Sequence, residues 1–254
     1  MPFADIVTGA RLHYVERIPQ NPRPTPVIAV HGMLGTAETH LGHVMDWLQG
    51  QGYRVIGPTL RGYGESTPKP RDFPLRFYDR DSEDVLALMD TLNIERAHMI
   101  GYSDGGEITL MCAGMQPERF ASAASWGAVG YFGPDMRPVA QRMIPGSGWM
   151  TDGDVARHQL GDKDDFAKQW VRATVHMIDS GGDVSVSLAP NITCPVLVML
   201  GDQDTLNPAS YAQVFLDKVK NGKLAMFKCG HPVHDEQTEA FYEALKSHLE
   251  QVEG

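Results

Sequence analysis

The fold is decided by one stretch of the sequence, Ala97-His98-Met99-Ile100-Gly101-Tyr102-Ser103-Asp104-Gly105-Gly106. Its apolar first part leads directly into a G-x-S-x-G pattern, which opens a helix-type segment over residues 107–115. A nucleophile on such a tight strand-to-helix turn has strained backbone angles, and only small residues fit two positions before and after it. The order of strand, turn and helix therefore predicts that Ser103 is exposed at the carboxyl edge of a sheet. The alternative is a glycine-rich turn that only packs.

Short strand-type runs alternate with helix-type runs on both sides of this turn. Several of the runs are almost continuously apolar, as strands covered on both faces are. Between them, an i, i+3, i+4, i+7 apolar stripe predicts a helix over residues 79–92, and a similar stripe predicts the last helix. This alternation predicts an α/β fold with a mostly parallel sheet flanked by helices. The predicted strands are residues 12–16, 27–30, 54–57, 97–101, 121–127, 196–201 and 224–228.

The stretch from about residue 132 to residue 191 interrupts the alternation. It is rich in Gly, Pro and Met, is weakly periodic, and is much longer than an ordinary connection between a strand and a helix. Long connections in compact domains are usually functional lids or binding loops. We therefore expect one domain, with residues 1–131 and 192–254 as an α/β core and residues 132–191 as a helical lid insertion over the sheet.

Composition restricts the class of partner. The 254-residue chain has 22 Lys and Arg against 32 Asp and Glu, a net charge of −10 at pH 7 with neutral histidines. Nucleic acids and anionic membrane surfaces attract clustered positive charge, so neither is expected as the main partner. The longest apolar run, residues 196–200, is far shorter than the roughly 18 residues that span a bilayer. A small molecule is the expected partner, and the oligomeric state is left open.

The N-terminal region and the cysteines favour a cytoplasmic location. Residues 1–18 carry scattered charges and no continuous apolar segment, unlike a secretory signal. Cys112, Cys194 and Cys229 are odd in number and unequally spaced, which suits neither a disulfide framework nor a zinc site. A reducing compartment is therefore the expectation.

An activated serine needs a base and an acid that orients the base, and hydrolases with this turn have the order Ser, acid, His along the chain. The loop Gly201-Asp202-Gln203-Asp204 follows a predicted strand at the place where the acid is expected. Asp204 is the preferred acid because it lies deeper in the loop. Asp202 directly follows the glycine that ends the strand and is expected in a turn.

The base is expected after the next strand, where Cys229-Gly230-His231 follows residues 224–228. His231 is preferred for its position, and His234 is expected to be a structural neighbour at the start of the last helix. A helix over residues 38–49 would bring two further histidines, His40 and His43, onto one face with Asp46, an arrangement that could bind a metal ion. The sequence offers no third strong ligand there, and no metal is predicted.

The oxyanion hole is expected from His31-Gly32-Met33-Leu34-Gly35, the loop after the strand at residues 27–30. Such a loop can turn one backbone N–H toward a tetrahedral intermediate, while the residue after the nucleophile supplies a second. These donors are assigned to Met33 and Asp104, and His31 is expected to support the loop. Neither G-x-G-x-x-G nor G-x-x-x-x-G-K-[ST] occurs, so no cofactor is predicted.

Together these segments resemble the α/β-hydrolase superfamily across the whole chain. Four motifs more narrowly resemble its valacyclovir hydrolase (biphenyl hydrolase-like) branch, namely Arg61-Gly62-Tyr63-Gly64-Glu65-Ser66, Arg71-Asp72-Phe73-Pro74, Tyr102-Ser103-Asp104-Gly105-Gly106 and Ser125-Trp126-Gly127-Ala128. The resemblance implies hydrolysis of α-amino acid esters by a serine triad, with an acidic residue beside the nucleophile that recognises the ammonium. The triad then corresponds to Ser103, Asp204 and His231, and the recognition residue to Asp104.

The substrate pocket is expected to lie between the turn that carries Ser103 and the lid. Asp104 and Trp126 are its predicted contributions from the core. The lid has a large, adaptable apolar inventory that suits a pocket, although each of these residues can instead only pack the lid onto the sheet. The predicted lid contributions are Met136, Met143, Ile144, Trp149 and Met150, with Trp170 and Met177 as further apolar residues.

The leading functional hypothesis is a carboxylic-ester hydrolase that acts through an acyl-enzyme. A general carboxylesterase, a carbon–carbon hydrolase, a perhydrolase or an acyltransferase could use the same residues, because fold and triad do not fix the reaction. A non-catalytic small-molecule receptor is the alternative outside enzymes. For Asp104, the alternative to ammonium recognition is a favourable negative charge at the helix N-terminus.

Overall fold

An eight-stranded sheet forms the centre of the molecule, of which the computed structural model describes residues 2–252. The strands are β1 (Phe3–Asp5), β2 (Arg11–Arg17), β3 (Val27–Val30), β4 (Val55–Pro58), β5 (Ala97–Tyr102), β6 (Phe120–Trp126), β7 (Val196–Gly201) and β8 (Gly222–Phe227). They lie in the order β1-β2-β4-β3-β5-β6-β7-β8. β2 runs antiparallel to β1 and β4, and the other neighbours are parallel. The mostly parallel sheet predicted from the sequence is confirmed.

The strand positions agree closely with those predicted. β3 and β7 coincide with the predicted residues 27–30 and 196–201, and the other predicted strands differ by one or two residues at their ends. β1 was not predicted. Of its three residues only Ala4 is buried, so the sequence contains no apolar run that would mark a strand there.

Helices cover both faces of the sheet. The side chains of β3 alternate between the two faces: Val27 and Ala29 pack into one core, and Ile28 and Val30 pack into the other. The first core contains the apolar sides of α1 and α9, and the second those of α2, α3 and α7. The helices are α1 (Ala37–Gly50), α2 (Phe77–Thr91), α3 (Asp104–Met115), α4 (Met136–Gln141), α5 (Asp152–His158), α6 (Lys163–Asp179), α7 (Ala209–Leu216), α8 (Val233–Glu236) and α9 (Thr238–Glu250).

Three of these helices, α4, α5 and α6, lie between β6 and β7, in the stretch expected to be a lid insertion. The start of this stretch meets the segment just after α6, since the Phe132 N–H donates to the Gly182 carbonyl at 2.8 Å and Tyr131 pairs with Asp183 in a single β-bridge. The longest helix, α6, buries Phe166 and other apolar residues in the core shared with α2 and α3. The division of the chain into core and lid stays a prediction.

Two further features concern the described part of the chain. Within residues 2–252, no helix is both long enough and apolar enough to cross a membrane. Cys112, Cys194 and Cys229 are free and buried.

Candidate active site

Ser103 lies on the sharp turn between β5 and α3. Its backbone is in the left-handed region, with φ 55° and ψ −123°. The Ser103 N–H donates to the Trp126 carbonyl at 2.8 Å, and the Ser103 carbonyl accepts from the Gly106 N–H at 2.8 Å. A non-glycine residue with positive φ is uncommon and strained, so neighbouring bonds must maintain it.

The glycines on either side of Ser103 are required by contact distances. A Cβ at Gly101 would lie 2.0 Å from the Gly105 carbonyl oxygen, and a Cβ at Gly105 would lie 2.2 Å from the Val30 carbonyl oxygen. Both oxygens belong to the backbone, so neither can move aside cheaply. The spacing expected from the sequence pattern therefore has a steric basis in this turn.

A chain of two hydrogen bonds joins Ser103, His231 and Asp204. The distance from Ser103 Oγ to His231 Nε2 is 3.0 Å, and that from His231 Nδ1 to Asp204 Oδ2 is 2.7 Å. Because an ionised carboxylate can only accept, the ring proton belongs on Nδ1, which leaves Nε2 free to accept from the serine hydroxyl. Asp202 is exposed in the turn that begins this loop, and it is Asp204 that the structure brings to His231.

Asp204 is buried and well bonded. Its Oδ1 accepts from the Leu206 N–H at 2.9 Å, and its Oδ2 accepts from Asn207 Nδ2 at 3.1 Å. Burial opposes ionisation, but the hydrogen bonds from His231 and Asn207 outweigh it and lower the pKa of Asp204 below its ordinary value. The carboxylate is therefore charged at neutral pH and can orient the imidazole.

Asn207 is a site residue that the sequence analysis missed. Besides the bond to Asp204, its Nδ2 donates to the Gly127 carbonyl at 3.0 Å. Gly127 has a positive φ, and a Cβ there would lie 2.7 Å from the His231 ring. Asn207 thus ties the loop after β6 to the loop that carries Asp204. The only signal in the sequence was an asparagine three residues after the acid, and such residues are also common in ordinary turns.

The loop of residues 31–35 lies against the turn that carries Ser103. A Cβ at Gly32 would be 2.9 Å from the Ser103 Cβ. His31 is fully buried; its Nε2 accepts from the Leu60 N–H at 2.9 Å, and its Nδ1 lies 2.7 Å from the Gly32 carbonyl oxygen. Burial lowers the pKa of His31 to about 3, so it is a neutral support for the loop.

The two N–H groups expected to form an oxyanion hole are available. Among residues 2–252, neither the Met33 N–H nor the Asp104 N–H donates a hydrogen bond to another residue. The Asp104 N–H is in the first turn of α3, where helix N–H groups have no partner within the helix. Both can therefore donate to an external oxygen.

A cavity of about 30 Å³ adjoins Ser103. Of the residues predicted to bind substrate, it brings together Asp104 and Met136, and Trp170 joins them from α6. The residues that line it are Tyr78, Ser103, Asp104, Glu107, Gly127, Phe132, Met136, Trp170, Leu206, Asn207 and His231.

Trp126 is a correction to the sequence-based pocket. Its side chain is fully buried in the core that contains α9, where it packs against Phe241 and donates from Nε1 to His234 Nδ1 at 3.0 Å. Successive side chains of a strand point to opposite faces, so the last residue of β6 points away from the cavity. Only the following residue, Gly127, reaches the cavity lining.

Four predicted lid contributions also lie outside the cavity lining. Ile144 is 38% exposed, Trp149 donates from Nε1 to the Met143 carbonyl at 2.8 Å, and Met150 is buried near Gly146. Met143, Trp149 and Met150 pack the segment between α4 and α6 onto the core, whereas Ile144 faces outward. The three-dimensional path of an insertion decides which of its apolar residues face a cavity. Amino-acid composition does not predict that path.

Two carboxylates are buried in the cavity wall. Asp104 Oδ1 accepts from the Tyr78 hydroxyl at 2.6 Å, and burial raises the pKa of Asp104 although this bond and the charge of Arg71 oppose the shift. Glu107 accepts from the N–H groups of Val129 and Gly130, both at 2.9 Å, and burial raises its pKa to about 7. Burial thus disfavours the negative charge of both carboxylates, and a positive charge in the cavity would favour it.

The histidines considered for a metal are engaged elsewhere. His43 stacks on His234, and His40 lies against Tyr102 and His31. Asp46 accepts from Arg17 at 2.7 Å. In the part of the chain that the structure describes, no group of three or more His, Cys, Asp or Glu side chains is arranged to bind a metal ion.

Comparison of the chain with solved structures shows the same fold. An esterase from Exiguobacterium antarcticum superimposes with a TM-score of 0.74 at 21% identity, over 98% of each chain. An enol-lactonase from Burkholderia xenovorans LB400 superimposes with a TM-score of 0.70 at 23% identity, over 98% of this chain and 99% of the other. At these identities the likeness concerns the fold alone.

Comparison of sequences identifies the family. The model of the α/β-hydrolase fold family matches residues 25–178. Serine hydrolase BPHL of Homo sapiens is 31% identical over 235 residues, which cover 90% of this chain and 79% of that protein. Serine hydrolase BPHL of Mus musculus is 28% identical over 249 residues, or 96% of this chain and 84% of that protein. The resemblance noted in the sequence is thus confirmed, and the chain belongs to the α/β-hydrolase fold family with BPHL serine hydrolases among its relatives.

Proposed function

We propose that this protein is a serine hydrolase that cleaves carboxylic esters, with α-amino acid esters as its substrates. The hydrogen-bond chain from Ser103 through His231 to Asp204 carries the proposal. An ionised Asp204 holds the ring proton of His231 on Nδ1, and this tautomer leaves Nε2 to act as a base toward Ser103.

Attack and breakdown follow from these positions. Ser103 Oγ attacks the ester carbonyl carbon while His231 Nε2 takes its proton, and the resulting imidazolium is stabilised by Asp204. The N–H groups of Met33 and Asp104 stabilise the oxyanion. His231 then returns the proton to the leaving alcohol, which leaves an acyl group on Ser103, and a water activated by the same base hydrolyses it.

The preference for α-amino esters rests on Asp104. A carboxylate beside an oxyanion hole opposes the developing negative charge unless a cation compensates it. The ammonium of an α-amino ester lies two bonds from the carbonyl carbon and can pair with Asp104 while the ester is held at Ser103. The bond from Tyr78 also counts against helix capping as the main role of this side chain.

A comparison of matched esters tests the proposal. With p-nitrophenyl esters we expect a burst of one p-nitrophenol per site when deacylation is slow, and a kcat/KM for an aminoacyl ester well above that of its des-amino analogue. Asp104→Ala should lower kcat/KM for the amino ester by about 100-fold, or about 2.7 kcal/mol, and reduce that for the des-amino ester much less.

Other outcomes would point to different functions. Equal losses on both esters, or no preference for the amino ester in the parent enzyme, would mean a general esterase in which Asp104 only stabilises the helix. Absence of both burst and turnover across the ester panel would contradict ester hydrolysis altogether and favour the receptor or the carbon–carbon hydrolase.

A further inference from the structure

The hydroxyl of Tyr78 reaches the Asp104 carboxylate from a fixed direction. Tyr78 is 1% exposed, Asp104 is 7% exposed, and the hydroxyl donates to Oδ1 at 2.6 Å. The tyrosine ring packs on Phe77 with a centroid distance of 4.0 Å and meets Phe132 edge-on at 6.1 Å. These two aromatic contacts hold the ring in place beside Asp104.

The second carboxylate oxygen of Asp104 shares the cavity wall with the Trp170 indole. Asp104 Oδ2 and Trp170 Nε1 are buried there, and neither makes a hydrogen bond of normal length within residues 2–252, although the indole acts on the carboxylate as a nearby donor that lowers its pKa. The buried cation Arg71 does not neutralise Asp104 by direct contact, because its guanidinium is bonded to Asp81. One oxygen is therefore bound by Tyr78, while the other makes no hydrogen bond of normal length and lies in the cavity wall with the indole.

We infer that Tyr78 is a positioning residue for substrate recognition, which orients Asp104 so that Oδ2 meets the ammonium of an α-amino ester. The inference rests on the proposed function. A phenol can donate one hydrogen bond, and a donor favours the charged form of the carboxylate that accepts it. Tyr78 thus both directs the carboxylate and favours its ionised form against the effect of burial, and a misdirected or neutral carboxyl would no longer bind a cation.

Burial and several neighbouring side chains change the pKa of Asp104, and the test must separate their effects from that of Tyr78. Burial, Asp81 and Glu107 disfavour its negative charge, whereas Tyr78, Arg71 and Trp170 favour it. The remaining titratable groups near it are Tyr63 and His231. Loss of the Tyr78 hydroxyl alone should raise the pKa of Asp104 further, with the other groups unchanged.

The test removes this one hydroxyl. In Tyr78→Phe we expect the ratio of kcat/KM for an amino ester to that for its des-amino analogue to fall about 10-fold, as expected for loss of a hydrogen bond to a charged group. Both esters are measured on the same preparation, so a partly unfolded sample leaves the ratio unaffected. Tyr63→Phe is the matched control, since it removes another buried hydroxyl that makes no bond to Asp104, and its ratio should equal that of the parent.

Two further readouts distinguish positioning from general support. The acidic limb of kcat/KM should move to higher pH in Tyr78→Phe for the amino ester only. In an Asp104→Asn background, Tyr78→Phe should change the ratio no further. An unchanged ratio, equal losses on both esters, or an additive double mutant would each overturn the inference. Absence of any amino preference in the parent would instead overturn the proposed function, and this inference with it.

Discussion

Ser103 combines a strained backbone with a reactive side chain. Alanine has the same Cβ as serine, so Ser103→Ala changes the strain at φ 55° little and should leave the fold intact. We expect it to abolish ester turnover, because the attacking hydroxyl is gone. His231→Ala should be nearly as severe and the double mutant little worse, since residues that act as one unit lose their effect together. Steady-state kinetics checks this, and near-normal turnover in Ser103→Ala would refute the assignment of the nucleophile.

The two aspartates of one loop give a matched pair of variants. Asp204→Asn should lose the orientation of His231. The corresponding change in a chymotrypsin-type triad lowers kcat by about 10⁴-fold. Asp202→Asn changes an exposed residue of the same loop and should stay within about two-fold of the parent. The comparison uses kcat on one ester. A dead Asp202 variant beside an active Asp204 variant would show that the acid is misassigned.

The role of Asn207 could not be predicted from the sequence, whereas the roles of the triad residues could. Ser103, Asp204 and His231 could be chosen because their chemistry, their order and their place after strands all coincide. The role of Asn207 comes from joining Asp204, in its own loop, to the Gly127 carbonyl, and this second bond exists only once β6 and β7 are neighbours. Trp126 was predicted to line the pocket, but its side chain lies in the core that contains α9. The reason is related, because neighbouring residues of a strand point to opposite faces of the sheet.

At the scale of elements, α6 connects the insertion to the cavity. Trp170 lines the cavity beside Ser103, whereas Met177, two turns further along, contacts a neighbouring cavity. The cavity beside Ser103 has room for about one water molecule, so an ester can enter only if the side chains that line the cavity move. Trp170→Ala should therefore raise kcat/KM for bulky acyl groups relative to small ones by about 10-fold or more.

Met177→Ala is the control for that prediction. It truncates a buried side chain of the same helix and should lower stability by about 2–5 kcal/mol, but it should leave the ranking of acyl groups unchanged. A panel of acyl p-nitrophenyl esters measures the ranking. If both variants scale every ester by one factor, α6 only packs and does not select the substrate.

The same helix shows why some elements escaped prediction. Its buried residues Phe166, Trp170, Met177 and their neighbours recur at helical spacing, and Asp162 caps its N-terminus by accepting from the Asp165 N–H at 2.8 Å. That signal is local to residues 163–179, and the Gly- and Pro-rich flanks obscure it when the whole insertion is considered. β3 and β7, by contrast, are apolar throughout and were located to the residue.

At the scale of the whole molecule, buried histidines couple folding to pH. Burial lowers the pKa of His31 to about 3 and those of His40, His234 and His248 to about 4. The ordinary value in an unfolded chain is about 6.5. A base with a depressed pKa stabilises the fold above its unfolded pKa, and this contribution is lost as the pH falls below 6.5, because the unfolded chain then binds protons that the folded chain does not.

Glu107 acts with the opposite sign. Its pKa of about 7 in the fold lies above its model-peptide value of 4.5, so the folded state binds the proton more tightly. Its contribution is fully present below pH 4.5 and is lost as the pH rises through 7. Near pH 5 one such group offsets the proton uptake of one histidine, so the histidines determine the net slope.

The free energy of unfolding, measured by urea titration between pH 7 and pH 4.5, should therefore fall on acidification, by roughly 4 kcal/mol per pH unit near pH 5 from these five groups. His248→Asn removes one buried imidazole and should reduce the slope near pH 5 by about 1.4 kcal/mol per pH unit. His176→Asn is the matched control, because that imidazole is exposed on α6 and remains in water in both states. Glu107→Gln should steepen the slope, since it removes the group that opposes the histidines. If His248→Asn and His176→Asn give the same slope as the parent, burial of neutral histidines is not what makes this fold sensitive to acid.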